Sequence, residues 1–223
     1  EENHNNSKKI NKLTIATWNI AFAQGNGSEG GPGYTPLSKE EMLARLKKMA
    51  QILRENNADI VLLQEVDFHS ARSHYIDELK VLAEEAGFAF GARATSWRAN
   101  YVPHPLWAPR KHFGKIRSGG AILSRYPIAA NTVELFEKPR KYPFFYRMFY
   151  LFRYFQDVMI ELPNGESVQP LRVGNLHLDA FDPKNRIEQA ELLKLRLEKA
   201  QKQDMPFAFF GGDFNAEPPE ASQ

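Results

Sequence analysis

Cysteine is absent from the 223-residue chain, and this absence excludes three kinds of chemistry. Disulfide frameworks, thiol nucleophiles and cysteine zinc sites all need a sulfur atom that the sequence does not supply. The redox state of the compartment is therefore left open by the composition. Apolar residues, in contrast, make up 43% of the chain, which is enough to build the core of one globular α/β domain.

A large excess of either charge is also absent. The 29 basic and 27 acidic residues give a formal charge of only +2, so the overall balance selects neither nucleic acid nor a membrane surface as a partner. No apolar run is long enough to predict a transmembrane segment. Any electrostatic attraction to a partner must therefore be local.

The chain begins with Glu1, and its first residues are polar. We interpret residues 1–12 as a disordered tail left by processing or cloning, and residues 13–223 as a single domain. Removal of a signal peptide would account for such a start, which favours a secreted or periplasmic location over a cytoplasmic one.

The pattern of apolar residues predicts alternating strands and helices. A capping box at Ser38 and Glu41 begins one helix that ends near Asn56, and Asp182 with Pro183 begins another that reaches about Lys202. A third helix is predicted over residues 72–86, and a long loop over 95–118. Strands are predicted at 13–18, 59–64, 88–92, 120–124, 157–162, 171–178 and 205–210, with a hairpin turn at 163–165.

Four of these strands lead directly into polar side chains. The residues concerned are Asn19, Glu65, His177, and the pair Asp213 and Asn215. Each has an ordinary structural explanation as a turn residue, a cap or a buried histidine. Sites in layered α/β proteins gather at strand ends, however, so the fourfold recurrence favours an active site.

The chemistry of this set suits the handling of phosphate. The Glu65 carboxylate and the Asn19 amide are oxygen ligands for a hard cation, so Mg²⁺ is expected, with Mn²⁺ or Ca²⁺ as alternatives. Asp213 could take a proton from attacking water, while Asn215 orients that water or holds a phosphate oxygen. His177 could donate a hydrogen bond to the charge that builds on the phosphoryl group.

The ordered motifs resemble those of the endonuclease/exonuclease/phosphatase superfamily, which includes pancreatic-type deoxyribonucleases, apurinic endonucleases, inositol-phosphate phosphatases and neutral sphingomyelinases. The segments that carry the resemblance are TWN at 17–19, QE at 64–65, SGGAILSRYP at 118–127, NLHLDA at 175–180 and GDFN at 212–215. The resemblance implies a four-layer α/β/β/α sandwich of two packed, mainly antiparallel β-sheets with outer helices. It also implies Asn19 and Glu65 as metal-site residues, and His177, Asp213 and Asn215 as catalytic residues.

The family's last motif, Ser-Asp-His on a final strand, has no counterpart before Gln223. We therefore expect the fold to be incomplete at its C-terminus, without its last strand or strands. On this reading the polypeptide is a fragment with little activity of its own, or another chain supplies the missing group.

The expected activity is Mg²⁺-dependent hydrolysis of a phosphate ester, most readily a phosphodiester, by direct attack of water. The substrate stays open among lipid head groups, nucleic acids and small phosphorylated metabolites. A nuclease, or a non-catalytic module that binds phosphate or lipid, is the alternative. Asn100, Lys115 and Asn175 are candidates for substrate contact. The first two lie within residues 97–117, where basic and aromatic residues alternate; this stretch could equally be a rim loop that is packed by its own aromatic residues.

Residues 138–155 combine nine aromatic residues with several basic ones. This composition is typical of a helix that lies at a membrane surface, although a segment buried against the core is the favoured interpretation. Near the predicted site, Arg186 and Gln189 could brace the loop after His177, with ordinary surface roles as the equal alternative. Asp59 and Asp179 are expected to be structural partners at strand ends.

Overall fold

A computed structural model describes residues 10–25, 27, 30, 31, 33–203 and 205–217. Residues 1–9 of the predicted tail lie outside this range. The described residues form eight strands: β1 (Ile15–Asn19), β2 (Ile60–Asp67), β3 (Phe90–Val102), β4 (Gly114–Ser124), β5 (Ile128–Leu135), β6 (Tyr154–Asn164), β7 (Ser167–His177) and β8 (Phe209–Asp213). The α-helices are α1 (Lys39–Glu55), α2 (Glu78–Ala86), α3 (Phe144–Phe149) and α4 (Pro183–Lys202). None of the helices described is long and apolar enough to cross a membrane.

The strands form two four-stranded sheets. The first has the order β1-β2-β4-β3 and the second the order β5-β6-β7-β8. Within them β1 runs parallel to β2, and β7 runs parallel to β8, while the other four pairings are antiparallel. Each parallel pair brings two strand C-termini to the same edge of its sheet, which places the polar residues that follow them side by side.

The two sheets pack face to face with helices on their outer surfaces. Ile60, Leu62 and Ile122 of the first sheet meet Val158 and Val173 of the second in a buried layer. Leu46 and Leu53 of α1 pack with Leu82 of α2 on the outer face of the first sheet. Leu193 of α4 covers the second sheet at Phe155 and Leu176. The four-layer α/β/β/α sandwich predicted from the resemblance is confirmed.

Local signals explain where the long helices begin. The Ser38 hydroxyl accepts from the Glu41 amide at 3.2 Å, and the Glu41 carboxylate accepts from the Ser38 amide at 2.8 Å, which is the predicted capping box. The Asp182 carboxylate accepts from the amides of Lys184 and Asn185 at the start of α4. Both predicted helix starts are confirmed.

Two predictions about the elements are wrong, and one strand was missed. The loop predicted at 95–118 is largely an antiparallel hairpin in which β3 runs to Val102 and β4 begins at Gly114. The helix predicted at 72–86 begins only at Glu78, because His74 and Tyr75 have positive φ values of 52° and 59°. Strand β5, which was not predicted, pairs with β6 along the edge of the second sheet.

Candidate active site

The first half of the candidate site comes from β1 and β2. Asn19 is the last residue of β1 and lies opposite Gln64 in the parallel register. A bulge between Leu63 and Val66 interrupts the pairing of β2 with β4, and Glu65 within it has a φ of +55°. Bulges redirect side chains and concentrate beside active sites. Here the bulge lies where Glu65 comes within hydrogen-bonding distance of Asn19, at 3.1 Å.

The second half comes from β7 and β8. His177 ends β7, Asp213 ends β8, and the parallel register places them opposite each other. One Asp213 oxygen, Oδ1, accepts a hydrogen bond from the Asn215 amide at 2.9 Å. The Asn215 side chain donates to the Leu178 carbonyl at 2.8 Å, so the turn after β8 is fastened to the end of β7.

The Asn19 amide joins the two halves. Its Nδ2 donates to Glu65 Oε1 at 3.1 Å and to Asp213 Oδ2 at 2.8 Å, while its Oδ1 accepts from the Ala21 amide. His177 Nε2 lies 3.8 Å from Glu65 Oε1 and 3.7 Å from Asp213 Oδ2. Residues as far apart in sequence as Asn19 and Asp213 thus meet at one end of the paired sheets, and Asn215 follows at the next turn.

Arg153, which sequence reasoning did not single out, is the cation of this cluster. Its NH1 donates to His177 Nε2 at 2.6 Å, and the side chains of both residues are almost fully buried. Burial, followed by the charge of Arg153, holds the pKa of His177 well below its ordinary value, so the imidazole is neutral. In this arrangement His177 Nε2 is an acceptor, and its predicted role as a donor to phosphate stays a prediction.

The pKa of Glu65 is shifted in the direction opposite to that of His177. Burial raises the pKa of Glu65 above its ordinary value, and the neighbouring Asp213 charge acts in the same direction. The hydrogen bond from Asn19 and the charges of Arg153 and Arg72 lower it. An additional positive charge beside Glu65 would therefore stabilise the ionised form of its carboxyl group.

The two carboxylates fit a hard divalent cation. Glu65 and Asp213 both accept from the same Asn19 amide nitrogen, so they face one small volume, whereas the Asn19 oxygen accepts from the Ala21 amide. In the part of the chain described, no group of three or more His, Cys, Asp or Glu side chains is arranged to hold a metal ion. Mg²⁺ commonly uses only one or two carboxylates together with water and phosphate oxygens, which agrees with this set.

A cleft with a volume of about 1040 Å³ opens from the cluster. Its described charged lining consists of Glu65, Asp213, Arg72 and Arg153, so the side-chain charges cancel. Apolar and aromatic side chains form most of the remaining wall, including Trp18, Ile20, Phe22, Trp97, Val102, Phe113, Phe149, Leu151 and Phe181. Such a cleft is much larger than a phosphate group and can hold the organic part of an ester.

Arg72 occupies the aromatic side of the cleft. It makes a two-point ion pair with Asp67, with Nε 2.9 Å from Oδ2 and NH2 3.1 Å from Oδ1, and both side chains are almost completely buried. Its guanidinium carbon lies 3.5 Å from the centroid of the Phe22 ring and within about 5 Å of the Trp97 and Phe113 rings. The residue therefore fixes the aromatic wall and adds positive charge to the cleft.

The three predicted substrate contacts lie elsewhere. Asn100 on β3 and Lys115 on β4 are exposed, and neither lines the cleft. Asn175 is completely buried, where its Nδ2 donates to the Leu63 and Ala121 carbonyls and its Oδ1 accepts from Gln64. These bonds tie the two sheets together, so Asn175 has a structural role in this arrangement.

The residues predicted to support the site make the expected contacts. Gln189 Oε1 accepts from the Asp179 amide at 2.9 Å, and Arg186 NH1 donates to the Asp179 carbonyl at 2.8 Å. The Asp179 carboxylate in turn accepts from the amides of Phe181 and Asp182. Asp59 accepts from the Thr14 amide at the start of the first sheet. The loop after His177 is therefore braced by α4.

Solved structures of similar fold are known. The chain matches TDP2 from Caenorhabditis elegans with a TM-score of 0.57 and 18% identity, over 92% of this chain and 48% of that one. It matches a mannosyl-6-phosphatase from Bacteroides thetaiotaomicron with a TM-score of 0.60 and 20% identity, over 93% and 67%. For D. rerio TDP2 complexed with a single-strand DNA product, the values are 0.55 and 16%, over 96% and 64%. The chain thus spans about half to two thirds of the length of these structures.

No curated protein sequence matches significantly. A profile of the Endonuclease/Exonuclease/phosphatase family, in contrast, matches residues 16–222. The match includes both sheets and every residue of the cluster described above. The chain therefore belongs to the endonuclease/exonuclease/phosphatase family.

Proposed function

We propose that the chain hydrolyses a phosphate ester, most readily a diester, by Mg²⁺-assisted in-line attack of water. The convergence of Asn19, Glu65 and Asp213 from two sheets is the observation that carries this proposal. Family membership and similarity in fold to a phosphatase and to TDP2 support it. The charges of the side chains that line the cleft also support it. Because these charges cancel, a bound dication would give the cleft a net positive charge, which would attract an anionic ester.

Glu65 and Asn19 are the residues that would hold the ion, with Asp213 beside them. A bound Mg²⁺ would offset negative charge on a phosphoryl oxygen. Turning the Asn19 amide would exchange its NH₂ group, which now faces the two carboxylates, for its oxygen. The donor set would then consist of oxygens alone, as Mg²⁺ prefers.

Asp213 is the residue assigned to the attacking water. Its Oδ1 is held by the Asn215 amide, which leaves Oδ2, now bonded to Asn19, as the atom that would accept a proton. Arg153 would donate to a non-bridging phosphate oxygen and oppose the charge that develops there. His177 would keep the guanidinium in place through the 2.6 Å hydrogen bond.

A hydrolysis panel tests the proposal. Purified protein is assayed with Mg²⁺ or EDTA on a soluble chromogenic phosphodiester, the corresponding monoester, plasmid DNA, RNA, sphingomyelin, phosphatidylinositol phosphates and soluble inositol phosphates. We expect low but measurable Mg²⁺-dependent turnover of at least one diester. Glu65→Gln should raise the Mg²⁺ concentration needed for half-maximal rate, and Asp213→Ala should lower kcat by about 10²- to 10⁴-fold.

Glu188→Gln is the matched control, because Glu188 is exposed on α4 and outside the cleft. Its rate and Mg²⁺ dependence should equal those of the wild type. Hydrolysis of nucleic acid alone would identify a nuclease. Binding of phosphate esters without turnover of any substrate would contradict the proposal and favour the non-catalytic alternative.

A further inference from the structure

The segment around α3 presents an apolar ridge to solvent, formed by Phe144, Phe145, Met148, Phe149 and Phe152. The exposed fractions of Phe144, Phe145 and Met148 are 78%, 66% and 59%. The burial against the core that sequence analysis favoured for this segment is therefore wrong for these three side chains. Three large apolar side chains exposed within five residues form a patch that water disfavours.

Two hydrogen bonds fix the backbone of the ridge to β3. The Trp97 indole donates to the Phe149 carbonyl at 2.8 Å, and the Phe152 amide donates to the Ser96 carbonyl at 2.9 Å. Tyr150, between them, is buried. The fixed backbone keeps the outward face of α3 at the surface, so its exposure is a consequence of how the segment is anchored.

The ridge is continuous with the candidate active site. Phe149 belongs to both, since it is 36% exposed and also lines the cleft. Phe181, on the loop after β7, is 52% exposed and lines the cleft too. Lys141 connects these two parts of the rim through an ion pair with Asp182, at 3.1 Å. An apolar surface therefore leads directly into the mouth of the cleft.

Positive charge is concentrated beside the ridge. Residues 137–147 include the basic residues Lys138, Arg140, Lys141 and Arg147 and a single acidic residue, Glu137. This short segment carries a formal charge of +3, whereas the whole chain carries only +2. Apolar side chains flanked by basic ones match the boundary between the head groups and acyl chains of a membrane with anionic lipid.

We propose that the ridge docks on a lipid surface and that the substrate is a membrane lipid phosphodiester whose head group enters the cleft. The substrate assignment rests on the proposed phosphoesterase function. In the docked state Phe144, Phe145 and Met148 enter the lipid interface. The apolar rim at Phe149 and Phe181 then accepts the lipid end of the ester, while the phosphate reaches Asp213 and Arg153.

The test separates docking from catalysis. Wild type, Phe144→Ser/Phe145→Ser/Met148→Ser and a control, Ile187→Ser/Leu192→Ser/Leu195→Ser, are compared. The control residues are 59%, 50% and 62% exposed on α4, so both variants lose three exposed apolar side chains. Sedimentation with vesicles of phosphatidylcholine and phosphatidylserine measures binding. Hydrolysis is measured on lipid phosphodiester in those vesicles and on a soluble chromogenic phosphodiester.

We expect the ridge variant to bind vesicles at least about tenfold more weakly than the wild type and to lose vesicle hydrolysis in proportion. Its rate on the soluble diester should be unchanged, because none of the three residues lines the cleft. The control should match the wild type in all three measurements. Wild-type binding should weaken in high salt and on pure phosphatidylcholine.

Equal vesicle binding by the ridge variant and the wild type would overturn the docking proposal. A wild type that forms dimers in light scattering, when the ridge variant is monomeric, would assign the ridge to a second copy of the chain and overturn it as well. Turnover of the soluble diester without vesicle hydrolysis would leave the phosphoesterase intact but refute the lipid substrate. A wild type that binds vesicles through the ridge but cleaves neither substrate would refute the phosphoesterase and, with it, the lipid substrate.

Discussion

Arg153 is buried and donates a hydrogen bond to a neutral histidine in the candidate site. Arg153 cannot lose its proton at ordinary pH, so its hydrogen bond requires His177 Nε2 to be an acceptor. The imidazole proton therefore lies on Nδ1. His177 orients Arg153, and Arg153 supplies the positive charge that faces Glu65 and Asp213.

Replacing Arg153 should therefore impair catalysis more than substrate binding. Arg153→Gln is expected to lower kcat for a soluble phosphodiester by about 10²- to 10³-fold, because a donor to the developing charge is lost. Arg153→Lys should be intermediate, since it retains the charge but not the planar guanidinium. Arg98→Gln, at an exposed position on β3, is the control. Steady-state kinetics on folded variants measures the effect, and an unchanged kcat for Arg153→Gln would remove Arg153 from the reaction.

Individual site residues differed in how readily the sequence indicated them. Asn19, Glu65, His177 and Asp213 each follow an apolar run, and that shared position made them recognisable as a set. Arg153 lies before its strand within an aromatic stretch, and only the pairing of Tyr154 with His177 brings it to the site. Such a contact depends on strand register between distant segments, which local sequence does not encode.

At the level of elements, Gly120 sets how closely the two sheets approach. A Cβ atom there would lie 1.8 Å from the Tyr154 hydroxyl oxygen and 2.2 Å from its ring carbon Cζ. Tyr154 is completely buried, and its ring centroid lies 6.4 Å from that of His177 in an edge-to-face arrangement. The glycine in β4 thus makes room for a ring of the opposite sheet that supports the site.

Gly120→Ala should destabilise the fold and disturb the site together. Overpacking a filled core costs about 1–3 kcal/mol, and the free energy of unfolding should fall by that amount. Gly31→Ala is the control, because a Cβ atom there would have no described residue within 4 Å. Urea unfolding and phosphodiester hydrolysis provide the two measurements. Equal unfolding midpoints for Gly120→Ala and the wild type would show that Tyr154 can move without cost.

Helix α2 begins with a buried acidic side chain. Glu78 Oε2 accepts from the Asp67 amide at 2.8 Å, while Oε1 has no partner among the described residues. Burial, and then the Asp67 charge, raises the pKa of Glu78 well above its model-compound value of 4.5. Glu78 is therefore protonated in the fold at pH values where it would ionise in the unfolded chain.

The sign of this shift predicts how stability depends on pH. Stability from protonated Glu78 is complete below about pH 4.5 and is lost as pH rises towards the folded-state pKa. The free energy of unfolding should thus decline as the pH rises above about 4.5, and decline less in Glu78→Gln. Glu84→Gln, at an exposed position on the same helix, should follow the wild type. Identical pH slopes for Glu78→Gln and the wild type would contradict the assignment.

The accuracy of the predicted elements depended on burial. Strand β2 and helix α1 carry apolar patterns that the core imposes; α1 was predicted nearly to both ends, and β2 was predicted at its start but three residues short of its end. Strand β5 has mostly half-exposed or exposed residues, and much of β3 is exposed, so neither shows a clear pattern. Hydrogen bonds to neighbouring strands define these two elements, and tertiary pairing of this kind overrides local propensity.

For the molecule as a whole, the two sheets contribute separate halves of one site. Asn19 and Glu65 belong to the first sheet, while Asp213 and His177 belong to the second. The two carboxylates accept from a single amide, so a cation shared between them would link the halves. Binding of that ion should therefore stabilise the packing of the sheets.

Saturating Mg²⁺ is expected to raise the Tm of the wild type, and EDTA should reverse the change. A ligand at a hundred times its Kd stabilises by about 2.7 kcal/mol, which corresponds to roughly 5–10 °C for a chain of this size. Glu65→Gln should respond less, whereas Glu188→Gln should respond as the wild type does. Differential scanning calorimetry measures the shift, and a Tm independent of Mg²⁺ would argue against a cation at this position.

The Asn19 amide bridges the interface between the two β-sheets, and each sheet has its own set of inter-strand hydrogen bonds. A shift of one sheet relative to the other by about an ångström would separate this amide from Asp213 without breaking any inter-strand hydrogen bond. Gentle heating should then abolish the proposed hydrolysis before circular dichroism registers any loss of secondary structure, so that the rate of hydrolysis would be the more sensitive measure of loosened packing between the sheets.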